Sequence, residues 1–229
     1  MTDLQLPNVQ LLKLSNLEGA ELLSVKPLRS KAEYCWTLTP FAPRFVFEAD
    51  MTVEQVTYLD ADLWFRKSPR LLFEEFEGSR KEVLITDHSY SPEHDQSKNS
   101  GQYCVQIITF NRHGGEIVRK WWEDRCLEWC YARVEDGKFG DQKYLDEWPI
   151  RFKKEVHILE NKELVLGPWN AQRFPYGNAI IWHFQGVRIL PEKNNIRVFF
   201  GGYSLPETTT DYVYKPYICL LYTSDAADE

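Results

Sequence analysis

The sequence predicts an α/β fold in which strands alternate with helices around a largely parallel sheet. Short apolar runs at 55–59, 82–86, 104–110, 156–159 and 179–183 have the length of buried strands. Between them lie stretches with apolar residues at helical spacing, clearest over 116–133, where Val118, Trp122, Cys126, Trp129 and Cys130 share one face. The first of those runs stops on the acidic triplet Asp60-Ala61-Asp62. The carboxyl ends of strands are where open α/β sheets bind their ligands.

Taken in order, residues 9–14 read as a short strand, and 32–49 as a helix interrupted by Pro40 and Pro43. Pro69 opens a helix over 69–76, with Leu71, Leu72, Phe73 and Phe76 at helical spacing. The polar stretch 89–101 reads as a loop over the site, and 140–148 as a shorter helix. Trp121, Trp122 and Trp129 have the spacing of core packing on a helix. The size suits one domain, taken as 1–218. No strand and turn precede 9–14, so the opening strand and helix of such a domain are expected to be missing. The last eleven residues, 219–229, resemble the translated read-through of a sequencing adaptor and are left out of the fold reasoning.

Composition narrows the function. A hydrophobic content of 43% supports a packed core, and a formal charge of −7 argues against a nucleic-acid surface. A small polyphosphate is still admissible, because a metal ion or a few local cations suffice to hold one. No apolar run approaches the roughly 18 residues that cross a bilayer. The five cysteines show no zinc-type pairing and read as reduced thiols of a cytoplasmic protein.

Asp60 and Asp62 stand where two carboxylates can meet one hard cation. Without a cation their charges repel, and one of them tends to take up a proton. The same triplet is also compatible with a solvated turn after a strand. A phosphatase of the haloacid-dehalogenase type places Asp-x-Asp similarly, but expects Thr or Val next, where this chain has Leu63-Trp64-Phe65. His183 ends an apolar strand and offers an imidazole ligand for a Mn-type ion, or packs as an ordinary core histidine. Gly186 lets backbone approach a phosphate, and Arg188 stands close enough in sequence to contact it. Asp141 opens the 140–148 segment, as a helix cap or as a site residue.

The order of these pieces is specific. Tyr58-Leu-Asp-Ala-Asp-Leu63, an apolar strand with Gln106, Phe139-Gly-Asp-Gln142, Pro168-Trp-Asn170 and His183-Phe-Gln-Gly186 follow one another as in glycosyltransferase family eight. That family includes the glycogenins and bacterial lipopolysaccharide galactosyl- and glucosyltransferases, and the chain resembles a bacterial offshoot of it from about residue 6 to 217. The resemblance implies a GT-A nucleotide-diphospho-sugar transferase fold and a Mn²⁺ (or Mg²⁺) ion held by Asp60, Asp62 and His183. It also implies a donor that is most often UDP-linked, a glycan or lipid-linked acceptor, and transfer with retention. Asp141 and Gln142 match positions near the reacting carbon, and Gln106, Trp169 and Asn170 fall in substrate-binding stretches. Beside the resemblance, Arg29 and Lys31 either reach the donor or sit on a solvated surface, Thr86-Asp87-His88, with Asp87, ends a strand that could line the sugar pocket, and the protein is expected to work in the cytoplasm, at most peripheral to the inner membrane face. The chain departs from the family where Val105-Gln-Ile replaces Asn-x-Gly and where Ile189 replaces a lysine. A sugar-nucleotide nucleotidyltransferase and an inactive sugar-nucleotide binder are the alternatives.

Overall fold

The structure is a computed structural model that describes residues 8–174, 177–192 and 195–225. Three helices precede the first strand. The short α1 (Ala20–Val25) leads to α2 (Lys31–Leu38), whose start is set by a reciprocal cap: Ser30 Oγ accepts from the Glu33 amide at 3.3 Å, and the Glu33 carboxylate from the Ser30 amide at 2.8 Å. Pro40 has no amide hydrogen to donate, and the chain restarts beyond it as α3 (Phe41–Ala49). The interrupted helix expected over 32–49 is therefore two helices. The strand expected over 9–14 is not formed. Those residues are exposed and find no strand to pair with, and the run ends in a 3-10 turn at Leu14–Asn16.

Next come β1 (Gln55–Leu59), β2 (Leu63–Phe65), α4 (Arg70–Ser79), β3 (Val83–Asp87), the one-turn α5 (Ser97–Ser100) and the long β4 (Tyr103–Asn111). After α6 (Glu116–Glu128), a 3-10 segment (Gln142–Glu147) and α7 (Trp148–Arg151), the chain forms β5 (Val156–Ile158), β6 (Val165–Leu166) and β7 (Ile181–His183). It closes with a hairpin of β8 (Val187–Glu192) and β9 (Asn195–Phe200), then α8 (Glu207–Thr209), a π-helical turn and α9 (Lys215–Asp225), which carries residues 219–225 as continuous helix.

The expected α/β class is what the structure has, but the sheet is not largely parallel. The central sheet runs β1-β4-β3-β5, and only the β3–β5 pairing is parallel; β4 lies antiparallel to both β1 and β3. The reason is the connection. A parallel neighbour needs a crossover of helical length, whereas β3 reaches β4 through the loop after Asp87, whose α5 is a single turn. A smaller sheet, β2-β7-β6, pairs β2 antiparallel and β6 parallel to β7.

Strand alternation distributes the core over both faces of the central sheet. On one face Val83, Ile85, Ile108 and Phe110 meet Val118, Trp122 and Cys126 of α6, with Trp148 behind them. On the other, Leu84 and Ile107 meet Leu72 and Phe76 of α4 and Ile180 and Ile181 at β7. The helix expected over 116–133 ends at Glu128. Trp129 turns to extended backbone (φ −153°), and its carbonyl accepts from Tyr144 Oη at 2.7 Å, so Trp129 and Cys130 stay buried without being helical.

Candidate functional site

The Asp60-Ala61-Asp62 triplet is where the chain steps from the central sheet to the smaller one. On its near side the Asp60 amide extends the β1–β4 ladder by donating to the Gln106 carbonyl at 3.0 Å. On its far side β2 pairs with β7, Leu63 standing opposite His183, and the Asp62 carbonyl accepts from the Phe184 amide at 2.9 Å. Backbone pairing thus brings residues more than 120 positions apart to one point.

There the ligand atoms of Asp60, Asp62 and His183 lie within 4.8 Å of one another. His183 Nε2 is 2.9 Å from Asp62 Oδ1 and 3.9 Å from Asp60 Oδ2. Burial pushes the Asp60 carboxyl up, with the Asp62 charge adding to it, against the pull of His183 and the Tyr58 hydroxyl, which donates at 2.8 Å. Burial acts on Asp62 as well, but its hydrogen bond to His183 and the attraction of that ring outweigh it and hold the carboxyl low. Two carboxylate oxygens and an imidazole nitrogen that converge in this way form a donor set suited to a divalent Mn- or Mg-type ion.

The triad opens on a cavity of about 430 Å³ whose lining includes Tyr58, Asp141, Gln142 and Trp169. Asp141 follows Gly140, whose φ of +54° turns the chain tightly against Trp36. Asp141 precedes the 3-10 segment without capping it through its side chain, which excludes the simple cap reading. It is 4% exposed, and its Oδ2 is buried with no hydrogen-bond partner. Burial, helped by the Asp60 charge, pushes this carboxyl up to about 7. Gln142 is pinned: its amide nitrogen donates to the Ser100 carbonyl at 2.9 Å, and its amide oxygen accepts from the Val105 amide at 3.4 Å.

An aromatic wall runs from the 89–101 loop to the triad. Tyr90 stacks on His88 with centroids 4.6 Å apart, His88 meets the edge of Trp169 at 5.2 Å, and Trp169 meets His183 at 5.2 Å. Burial pushes His88 down to about 4, so this ring is uncharged near neutrality.

Of the residues singled out from sequence, Asp60, Asp62, Asp141, Gln142, Trp169 and His183 share the cavity. The others do not line it. Asp87 is saturated by Lys162, Gln102 and the Ser89 amide. Asn170 ties its own turn to the Gly167 amide and the His88 carbonyl. Gln106 lies behind His183, wholly buried. Gly186 (φ +78°) makes the turn between β7 and β8 against Gly201, and Arg188 is exposed on β8. The Arg29 guanidinium is committed to the carbonyls of Cys126 (2.6 Å) and Leu127 (2.7 Å) and to the Thr37 hydroxyl, and so joins α2 to the end of α6. Lys31 is exposed at the first turn of α2. Among the described residues, no lysine or arginine lines the cavity.

Sequence reasoning gave no role to Tyr58, Tyr90, Gln185 and Tyr203 in the lining, and took in His88 only as part of the Thr86-Asp87-His88 stretch. Two of them had a signal. Tyr58 shares a strand face with Asp60 by the period of two, and His88 directly follows the Thr86-Asp87 strand end.

No protein-family model matches the chain. It is 30% identical over 205 residues to the uncharacterized protein YfnF of Bacillus subtilis (strain 168), a match covering 82% of this chain and 67% of that protein. The chain belongs to the YfnF family. It is also 28% identical over 227 residues to the uncharacterized protein YfnD of the same organism, covering 92% of this chain and 71% of YfnD. Two solved structures that align with part of the chain are glycosyltransferases. One is involved in glycosylation of the major capsid of PBCV-1 (TM-score 0.49, 13% identity, 71% of this chain and 75% of that one). Another is mouse xyloside xylosyltransferase 1 in its apo form (TM-score 0.42, 14% identity, 67% and 64%). No helix among the described residues of this YfnF-family chain is long and apolar enough to cross a membrane.

Proposed function

We propose that this YfnF-family chain is the catalytic domain of a divalent-metal-dependent glycosyltransferase with a GT-A fold of the family-eight kind. In this reading it moves a sugar, with retention, from a nucleotide-diphosphate donor, most simply a UDP-sugar, to a glycan or lipid-linked acceptor. It works in the cytoplasm or at the inner membrane face, on a domain spanning 1–218. The observation that carries the proposal is convergence. Asp60 and Asp62, Asp141 and Gln142, and His183 come from three distant stretches that follow the family-eight motif order, and all of them line one cavity.

Asp60, Asp62 and His183 would hold Mn²⁺ or Mg²⁺. When bound, the cation supplies Lewis-acid neutralisation of the diphosphate as it leaves. The protein's residues do the remainder. The Tyr58 hydroxyl fixes the rotamer of Asp60. Asp141, its buried Oδ2 unpartnered and its proton held to about pH 7, is suited to a sugar hydroxyl, which can donate to it or accept from it. Gln142 keeps its amide at the cavity wall beside the sugar. Trp169 offers apolar surface for a sugar ring while its indole nitrogen donates to the His88 carbonyl at 2.9 Å.

The test is calorimetric titration of the full chain with UDP-sugars, with Mn²⁺ and then with EDTA, followed by nuclear magnetic resonance of the anomeric proton during turnover. Mn²⁺-dependent donor binding with a retained anomer is expected. Donor binding that is indifferent to EDTA refutes the metal role, and binding without hydrolysis or transfer makes the protein an inactive sugar-nucleotide binder.

A further inference from the structure

Gln106 poses a problem that substrate contact does not solve. It sits in mid-β4 among apolar neighbours, fully buried, and an unsatisfied amide there is costly. Its hydrogen bonds show how that cost is met. The side-chain oxygen faces His183 Nδ1 at 3.0 Å, the side-chain nitrogen donates to the Thr86 hydroxyl at 3.4 Å, and the backbone carbonyl accepts from the Asp60 amide at 3.0 Å. One residue therefore touches both halves of the triad, Asp60 at the end of the central sheet and His183 at the end of the smaller one.

We infer that Gln106 is the positioning residue of the metal site: its side-chain carbonyl accepts the Nδ1 hydrogen of His183, so that Nε2, which shares a hydrogen with Asp62 at 2.9 Å in the metal-free site, is the nitrogen left to ligate once a divalent cation takes that hydrogen's place. This rests on the metal reading above and adds to it the residue that orients the ligand. Histidine ligands behave this way in general, since the partner of the second ring nitrogen sets tautomer, orientation and basicity. The opposite amide orientation would present an N–H to Nδ1 and favour the hydrogen on Nε2, which would block ligation. Trp169, edge-on to the ring at 5.2 Å, restrains it from tilting, so amide and indole together leave the imidazole one orientation. A buried glutamine at this place is thus spent on the cation and not on the sugar.

The test uses the full chain and Mn²⁺ alone, with free Mn²⁺ read by electron paramagnetic resonance and folding read by circular dichroism. Gln106→Met keeps length and volume but removes the acceptor, and should weaken Mn²⁺ binding by about 10- to 100-fold. Gln106→Glu keeps an acceptor oxygen for Nδ1 and should bind Mn²⁺ at least as tightly as the parent. Asp62→Asn, which loses a ligand, marks the level of a broken site. The inference is overturned if Gln106→Met binds like the parent while Asp62→Asn does not, or if Gln106→Glu falls with Gln106→Met. Should Gln106→Met not fold, Gln106→Glu decides alone, because a merely structural role gives a buried carboxylate no reason to preserve the affinity. If the parent holds Mn²⁺ no better than Asp62→Asn, the metal reading itself has failed and the role of Gln106 falls with it.

Discussion

Replacing Asp141 with asparagine should remove a pH dependence from the stability of the protein. The carboxyl is buried, its Oδ2 is unpartnered, and burial moves it from the ordinary 3.8 to about 7. A carboxyl raised in this way keeps a proton that the unfolded chain has released. Below about pH 4 both states are protonated and Asp141 contributes no penalty. As pH rises from about 4 to 7 the unfolded state ionises first and gains on the folded one, and above 7 the penalty is complete. At about 1.4 kcal/mol per pH unit this comes to about 4 kcal/mol, a large share of the stability of an ordinary domain. The assay is urea unfolding of the parent and of Asp141→Asn at intervals from pH 4 to 8, in EDTA. Groups common to both proteins, His88 among them, cancel in the difference, and a constant offset reports only the fit of the amide. The difference should grow in favour of the variant by up to about 4 kcal/mol across that window and then level off. A flat difference would mean that Asp141 ionises in the folded protein as readily as in the unfolded one, and would refute the buried-acid account. The same variant should lose most of its transferase turnover if Asp141 meets the sugar.

The remaining predictions concern neighbouring residues. Asp60→Ala and Asp62→Ala should each abolish Mn²⁺-dependent donor binding in calorimetry while circular dichroism stays native; undiminished binding in either removes that residue from the metal site. Arg29→Ala leaves two carbonyls and a hydroxyl without their donor and should cost about 3 kcal/mol in urea unfolding. Its donor KM should not change, whereas a raised KM at full stability would restore Arg29 to the substrate. Gly140→Ala forces a side chain into positive φ with its Cβ 3.3 Å from the Trp36 ring, and should cost about 1–2 kcal/mol. It should also lower kcat more than it raises KM, since Asp141 and Gln142 follow directly; unchanged kcat would show that the turn does not position them.

What was legible in the sequence, and what was not, divides along physical lines. β3, β4 and β7 were readable as largely buried apolar runs, β1 and β5 as short half-buried ones, and α6 because its buried face repeats at helical spacing. β2 and β6 are two or three residues long and exist only because β7 lies between them, a condition set by tertiary pairing. Strand direction was misread for a related reason. Alternating strands and helices suggest crossovers, but the 88–102 connection contains no helix long enough to make one, so β4 runs back against its neighbours. In the site, Asp60, Asp62 and His183 were legible because they end strands. Arg29 and Asp87 are bonded to neighbouring protein groups and lie off the cavity, which sequence alone does not show, because a charge near a motif looks the same whether it faces a ligand or a neighbour.

Gln106 shows where that limit gives way to structure. In the sequence it is a polar residue inside an apolar strand, at a place where the family-eight pattern has Asn-x-Gly, and it suggests only an altered sugar contact. Folding fixes its meaning through two constraints that no linear pattern carries. β4 lies antiparallel to β1, which puts the Gln106 carbonyl under the Asp60 amide. The pairing of β2 with β7 puts His183 above its side chain. A glutamine at 105 or 107 would face the opposite side of the strand and reach neither partner, because a one-residue step in a strand reverses its side chains. The departure from the motif is therefore accompanied by a new use for the residue in its place: the amide is hydrogen-bonded to the histidine, and in the proposed function the sugar contacts fall to Asp141 and Gln142.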